Sequence, residues 1–309
     1  MSLDKRYALQ VLAGFLILFV IILKFRENLP QLSSIEFDLA FFALSLIPYT
    51  FLNLVLSFRL YFLLHKMGCN PAYPRIFLAH LSGMLVGDAT PGRSGYLMTP
   101  KFVESASDCS IQAGTAAIIS PQGIEFLIKV VGASLAIVYL VLPVSESAMY
   151  SALFGTVFVL FLALALIWLA WKSEFRIVGK LPFVSNYTPY FQDFRDKSLI
   201  VKENLLEVTL ISLAGWVFAA LQWQFIGLSL GLELSFLDYF LLHPLLTALS
   251  FVPVTPAGLG LVESGGVVVF YLMGLDPLSG FAFTLLARLS NVTGDLPGVA
   301  LIFRKGRAL

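Results

Sequence analysis

The chain has 309 residues, of which 58% are hydrophobic and 13% charged, with a net charge of +1 and a mean hydropathy of +0.87. A water-soluble domain of this size does not carry so much apolar sequence, so the composition predicts an integral membrane protein. The near-zero net charge and the lack of a basic aromatic patch argue against nucleic acid as a partner.

A membrane span needs ~20 mostly apolar residues. The first candidate is Tyr7–Leu23, preceded by Lys5 and Arg6 without a small-x-small cleavage site, which reads as a retained anchor and not a signal peptide. Next come Leu39–Phe58, Phe126–Ser145, Met149–Trp171, Val208–Leu232 and Pro277–Phe303. The third and last of these six spans carry charge: Lys129, then Arg288 and Asp295. Lysine and arginine in short loops mark the cytoplasmic side. Segment 172–207 holds six of them and the tail holds Arg304, Lys305 and Arg307, so both are placed in the cytoplasm together with the N-terminus, in the cell membrane. The turns Pro143–Ser147 and Gly231–Ser235 have none and are placed outside.

Threading the chain through these sides leaves two regions over, near 75–120 and 237–275, which must each enter and leave by the same face, and by opposite faces from one another. The first contains Thr90-Pro91-Gly92-Arg93-Ser94-Gly95, echoed in the second as Thr255-Pro256-Ala257-Gly258-Leu259-Gly260. Helix-breaking residues at membrane depth are tolerated where protein or a water-filled cavity satisfies the freed backbone, and matched breaks entering from opposite faces mark an inverted-topology repeat with its site near the midplane. The expected fold is therefore all-α and polytopic, with about six full spans and two re-entrant hairpins related as an inverted repeat. Its divisions are an anchor span and loop (1–38), a first half (39–144), an extra span (149–171), a cytoplasmic connector (172–207), a second half (208–303) and a basic tail (304–309).

Ionisable groups inside a membrane are costly and are functional hypotheses by default. Asp88 and Arg93 flank the first break, with His80, Lys101 and Glu104 on either side; His243 and Glu263 flank the second; Glu125 and Lys129 share the third span. Each break starts a new helical piece whose free N–H groups attract an anion. Arg93 sits at one such start and Arg288 is placed to serve the other, and a guanidinium fork suits phosphate. Arg93 and Arg288 are thus the candidate phosphate ligands, with Asp88, Glu125 and Glu263 as their acidic partners or as proton carriers. The alternative is a set of static pairs: Glu125 with Lys129, Asp88 with Arg93, Glu263 with Arg288. The two histidines read as packing, and Gly83-xxx-Gly87, Gly227-xxx-Gly231 and Gly294-xxx-Gly298 as close-approach spacings. Cys69 and Cys109 read as free thiols, and neither a metal site nor a cofactor motif is found.

The Thr-Pro-Gly-Arg-x-Gly stretch, Glu125, the block Pro256, Gly258, Gly260, Glu263, and Arg288 in the final span resemble the flippase-like transmembrane domain of lysylphosphatidylglycerol synthases, which also exists as stand-alone proteins of this length. The resemblance covers nearly the whole chain and implies movement of an anionic membrane lipid between leaflets. Where the family follows this Glu with Arg and then Asp, the present chain has Phe126 and, at the acid's place, Lys129. Nothing here resembles the synthases' aminoacyl-transfer domain, so lipid synthesis is not implied.

The expected function is a lipid flippase or scramblase for an anionic phospholipid or a polyprenyl-phosphate-linked lipid, and not an enzyme. The alternative is an ion-coupled transporter of a small soluble anion. An intramembrane lipid-modifying enzyme or aspartyl protease is disfavoured, since Leu85 replaces the first glycine of Gly-x-Gly-Asp and no other hydrolase motif occurs. Self-association into a homodimer is left open.

Overall fold

The structure is a computed structural model that describes residues 3–24, 37–141 and 188–304, with isolated helical positions between 157 and 171. The extra span 149–171, most of the connector's first half, most of the first loop and the tail beyond Arg304 lie outside the described residues. Most described residues are helical, joined by turns and short irregular segments; among these residues there is no strand.

Helix α1 (Leu3–Lys24) precedes two series of elements of similar plan. The first is α2 (Leu39–Lys66), α3 (Tyr73–Asp88), an irregular break, a short 3-10 turn leading into α4 (Thr99–Ala106), and α5 (Ile111–Ala136). After α6 (Thr188–Glu203), the second is α7 (Leu205–Ser229), α8 (Phe236–Thr247), another break, α9 (Leu261–Leu272) and α10 (Pro277–Asp295), continued through a 3-10 turn into α11 (Val299–Arg304). Among the described residues three helices are long and apolar enough to cross a membrane: α2, α5 with its π-helical extension to Leu140, and α7. Shorter apolar helices include the 12–23 part of α1, α8 and α9.

Two boundaries differ from the sequence reading. Helix α2 continues to Lys66, because the apolar run resumes after Arg59 and the partnered guanidinium does not end the helix. Helix α5 begins at Ile111, with Ser110 accepting the Ala113 N–H as its cap, so the first hairpin ends at Ala106 and not near 120. Pro121 sits inside α5 without ending it.

Helices α2 and α7 form the most extensive helix contact. Gly215 lets Leu52 and Leu56 approach to 3.3 Å from where its Cβ would be, and Phe51 stacks on Phe218 at 5.5 Å. Asp38 caps α2 through the Ala40 N–H at 2.7 Å, while its own N–H reaches Ser229 O at the end of α7. Five of the six glycines in the spacings named above pack against a neighbour, for example Gly83 on Thr99 and Gly294 on Tyr49; Gly231 instead takes a positive φ of 67° just past the end of α7.

The connector is more than a linker from Thr188 on. Helix α6 packs against α5, burying Phe194, Ser198 and Val201, and its Lys197 bonds both Asp193 and Ser110. Helix α1 braces the second break: Gln10 Nε2 donates to Pro253 O at 3.3 Å, and a Cβ on Gly260 would come within 2.7 Å of Ile17. Side chains such as Phe15, Phe51, Val131, Leu206 and Tyr271 are exposed, the surface expected of a bundle solvated by lipid.

The contact between α9 and α10 is backbone on backbone, because Gly266 and Gly280 face each other. A Cβ on Gly280 would lie 2.4 Å from Gly266 O, a distance at which the helices must separate. Gly280→Ala is therefore expected to destabilise the bundle by about 1–3 kcal/mol, the usual cost of overpacking, read as an earlier thermal transition in detergent. An unchanged transition would show that this contact is loose.

Candidate functional site

The two breaks meet. Pro91 and Pro256 form an antiparallel bridge, and Ala257 N–H donates to Thr90 O at 2.9 Å. Each crossing segment is shaped by left-handed residues: Gly92 at φ 59° and Arg93 at 55° on one side, Ala257 at 42°, Gly258 at 68° and Gly260 at 82° on the other. Arg93 and Ala257 are non-glycine residues in that region, a strain that is held in place only where surrounding contacts over-determine it. The two threonines behave differently. Thr90 Oγ1 accepts the Gly95 N–H at 2.6 Å and bonds carbonyls of α3, whereas the buried Thr255 hydroxyl carries no hydrogen bond among the described residues. Gly95 is required at its place, since a Cβ would lie 2.4 Å from Val86 O.

Beside this crossing lies a cavity of about 590 Å³. Its walls come from both series: α2, α3, the first break and α5 from one, α7, α8, the second break and α10 from the other. Much of the wall is apolar, including Leu52, Leu56, Ile118, Ile119, Phe126, Ala219 and Phe251. Set into it are Arg59, Arg93, Lys129 and Arg288, with Asp88 and Glu125.

Three of the four cations are paired. Arg93 meets Asp88 at 2.6 Å across the break, and Arg288 meets Glu263 at 2.8 Å, as the static reading of the sequence has it. Glu263 is fully buried, and its second oxygen accepts the Gly260 N–H at 2.7 Å, so one carboxylate caps α9 and holds Arg288. Arg288 also points at Ala257 O, with N···O distances of 3.4 and 3.5 Å, which attaches it to the second break.

The third pair corrects the sequence reading. Glu125 is not paired with Lys129, one turn further along α5, but with Arg59 of α2 at 2.5 Å, and Arg59 also donates to Ser212. The sequence does not single out Arg59, because it directly follows the apolar run 39–58 and looks like a span's end; the signal against that is the second apolar run that starts at Leu60. Lys129 has no hydrogen bond or ion pair among the described residues.

A polar network runs from the wall into the bundle: Tyr49, His80, Tyr96, Gln222 and Asn291 line the cavity, and Asn53, Asp295, Ser290 and Ser45 lie behind them. Asp295, fully buried, accepts from Tyr49 at 2.9 Å and from Asn53 at 3.1 Å. The Asn53 carbonyl faces His80 Nε2 at 3.2 Å, and Tyr96 stands 3.3 Å from Nδ1. With the Asn53 amide nitrogen committed to Asp295, Nε2 carries the proton and the Tyr96 hydroxyl donates to Nδ1. His80 is thus fully hydrogen-bonded, and His243 lies edge-on to Trp223 at 4.9 Å, in keeping with histidines that pack. Gln222 bonds Asn291 and Ser290, and Ser290 bonds Ser45. Lys101 and Glu104 are exposed on α4, away from the cavity. Among the described residues no cluster of metal-ligating side chains occurs.

Residues 7–294 match the family described as the lysylphosphatidylglycerol synthase TM region. A UPF0104 membrane protein of Methanocaldococcus jannaschii is 24% identical over 210 residues, covering 67% of this chain and 87% of the relative. No solved structure matches the chain.

Proposed function

The chain belongs to the lysylphosphatidylglycerol synthase TM region family, and from that premise and the cavity's geometry we propose that it is a lipid translocase, a flippase or scramblase, moving an anionic phospholipid or a polyprenyl-phosphate-linked lipid between leaflets. The observation that carries this reading is the crossing of the two broken hairpins at the wall of a cavity that has a guanidinium beside each break. In this reading the first half (39–144) and the second half (208–303) act as an inverted repeat, and rocking about the Thr90–Ala257 crossing exposes the cavity to one leaflet at a time. Arg93 and Arg288 are the mobile phosphate ligands. Each rests on one carboxylate and can exchange part of that contact for a phosphate oxygen, so charge stays compensated through the cycle. Asp88 and Glu263 take the guanidinium back when the lipid leaves, and Glu125 keeps Arg59 in place. The mixture of apolar wall and central charge suits a headgroup whose acyl chains leave sideways into the membrane.

Reconstitution into liposomes holding fluorescent phosphatidylglycerol or a polyprenyl-phosphate probe tests the proposal, with leaflet exchange read by dithionite quenching or an enzymatic equivalent. Protein-dependent exchange is expected. Folded protein that exchanges none of these lipids would leave a carrier of small soluble anions as the use of the same cavity.

A further inference from the structure

We propose that the cavity is built to receive a headgroup bearing a single negative charge, a phosphodiester, and that Lys129 is the residue that reads that charge. This deepens the translocase reading above and rests on the same cavity.

The argument is one of charge matching. Arg59–Glu125, Arg93–Asp88 and Arg288–Glu263 are three closed pairs with N···O distances of 2.5 to 2.8 Å, and together they contribute no net charge. Asp295 lies behind the wall, with its two oxygens taken by Tyr49 and Asn53, and does not line the cavity. The remaining charge in the wall is the ammonium of Lys129, which makes no hydrogen bond or close ion pair among the described residues and attracts only a Glu125 carboxylate already held by Arg59. It sits one helical turn, about 6 Å of rise, beyond Glu125 on α5. Its nearest potential counter-ion on that helix is therefore already bound to Arg59.

An uncompensated cation in a mostly apolar cavity is unfavourable until an anion joins it. One phosphodiester neutralises one ammonium. A pyrophosphate, or a phosphomonoester with two charges, would leave one negative charge in excess, and a zwitterionic headgroup would have to hold its own cation against Lys129. Gln122, two turns before Lys129 in the same wall, offers an amide to the hydroxyls of a glycerol or sugar substituent. The class that fits is a monoanionic phosphodiester with a hydroxylated head, whether anchored in the membrane or free in solution.

Binding measured apart from transport tests this, because Trp216 and Trp223 line the cavity and report occupancy by fluorescence. The probes are dioctanoyl-phosphatidylglycerol, dioctanoyl-phosphatidic acid at a pH where it bears two charges, dioctanoyl-phosphatidylcholine, and soluble glycerophosphoglycerol, each titrated into detergent-solubilised full chain. Phosphatidylglycerol is expected to bind at least tenfold more tightly than the other two lipids. Lys129→Gln is expected to weaken it at least tenfold, and Lys129→Arg to restore it to within about threefold. Because Lys129→Gln removes an unpaired charge, its melting temperature without lipid should equal or exceed that of the native protein, which separates a lost ligand contact from a lost fold. Equal affinity for the singly and doubly charged lipids, or Lys129→Gln within twofold of native, overturns the proposal. Glycerophosphoglycerol binding as tightly as the lipid supports the charge rule and names a soluble source; binding of the lipid alone names the membrane. Tight, Lys129-dependent binding with no leaflet exchange sinks the translocase reading and leaves this one standing.

Discussion

Glu263→Ala is expected to lower the stability of the bundle by about 3–5 kcal/mol, the cost of leaving one member of a buried pair without its partner. Glu263 is fully buried and has two duties: one oxygen holds Arg288 and the other caps the α9 N-terminus at Gly260. Alanine frees a guanidinium and an N–H together, at the place where α1, α9 and the second break pack. Arg288 retains some exposure to the cavity and its contact with Ala257 O, which places the expected loss toward the lower end of that range. Glu263→Gln keeps a carbonyl for Gly260 or Arg288 but removes the charge, and should fall between alanine and native. Thermal unfolding in detergent reads the series, and a Glu263→Ala protein that melts with the native one would show that Arg288 does not depend on it. Pairing Glu263→Leu with Arg288→Met should recover most of the stability while abolishing any transport, since apolar replacement of a whole buried pair is often neutral.

What could be read from the sequence followed from rules about where polar groups are tolerated in lipid. The two Pro-Gly breaks, the pairs at Asp88–Arg93 and Glu263–Arg288, and the packing role of most of the spaced glycines were legible, because each is a local departure from an apolar run. Two kinds of feature were not. The contact of Ala257 with Thr90 joins segments far apart in the chain, and no spacing announces that two breaks lie on each other instead of on opposite walls. The choice of Arg59 over Lys129 as the partner of Glu125 is decided across helices, where the i,i+4 rule has nothing to say. The polar network around Asp295 shows the same limit, since Tyr49, Asn53 and His80 are ordinary residues on two different helices until the fold links them to it in a chain of hydrogen bonds.

Arg93→Ala is expected to cut lipid exchange by roughly 10- to 150-fold, equivalent to losing one charge-assisted contact of about 1.5–3 kcal/mol at the phosphate. Alanine is the informative replacement. At φ 55° both alanine and arginine pay for their Cβ, so the substitution removes the guanidinium without relaxing the backbone, as glycine would. The fold should survive better than in Glu263→Ala, because the carboxylate left behind, Asp88, is at the cavity wall and not sealed in the core. Asp88→Asn alone should leave the guanidinium in place but untethered, with a smaller loss of exchange, and the double substitution should resemble Arg93→Ala if the guanidinium acts on the lipid. Should Arg93→Ala and Asp88→Asn instead lose equal stability and equal exchange, with no further loss in the double variant, the pair is a brace for the crossing segments and the phosphate is held elsewhere. Arg288→Ala gives the matching measurement at the other break, and near-equal losses at the two positions are what two halves alternating about one crossing would produce.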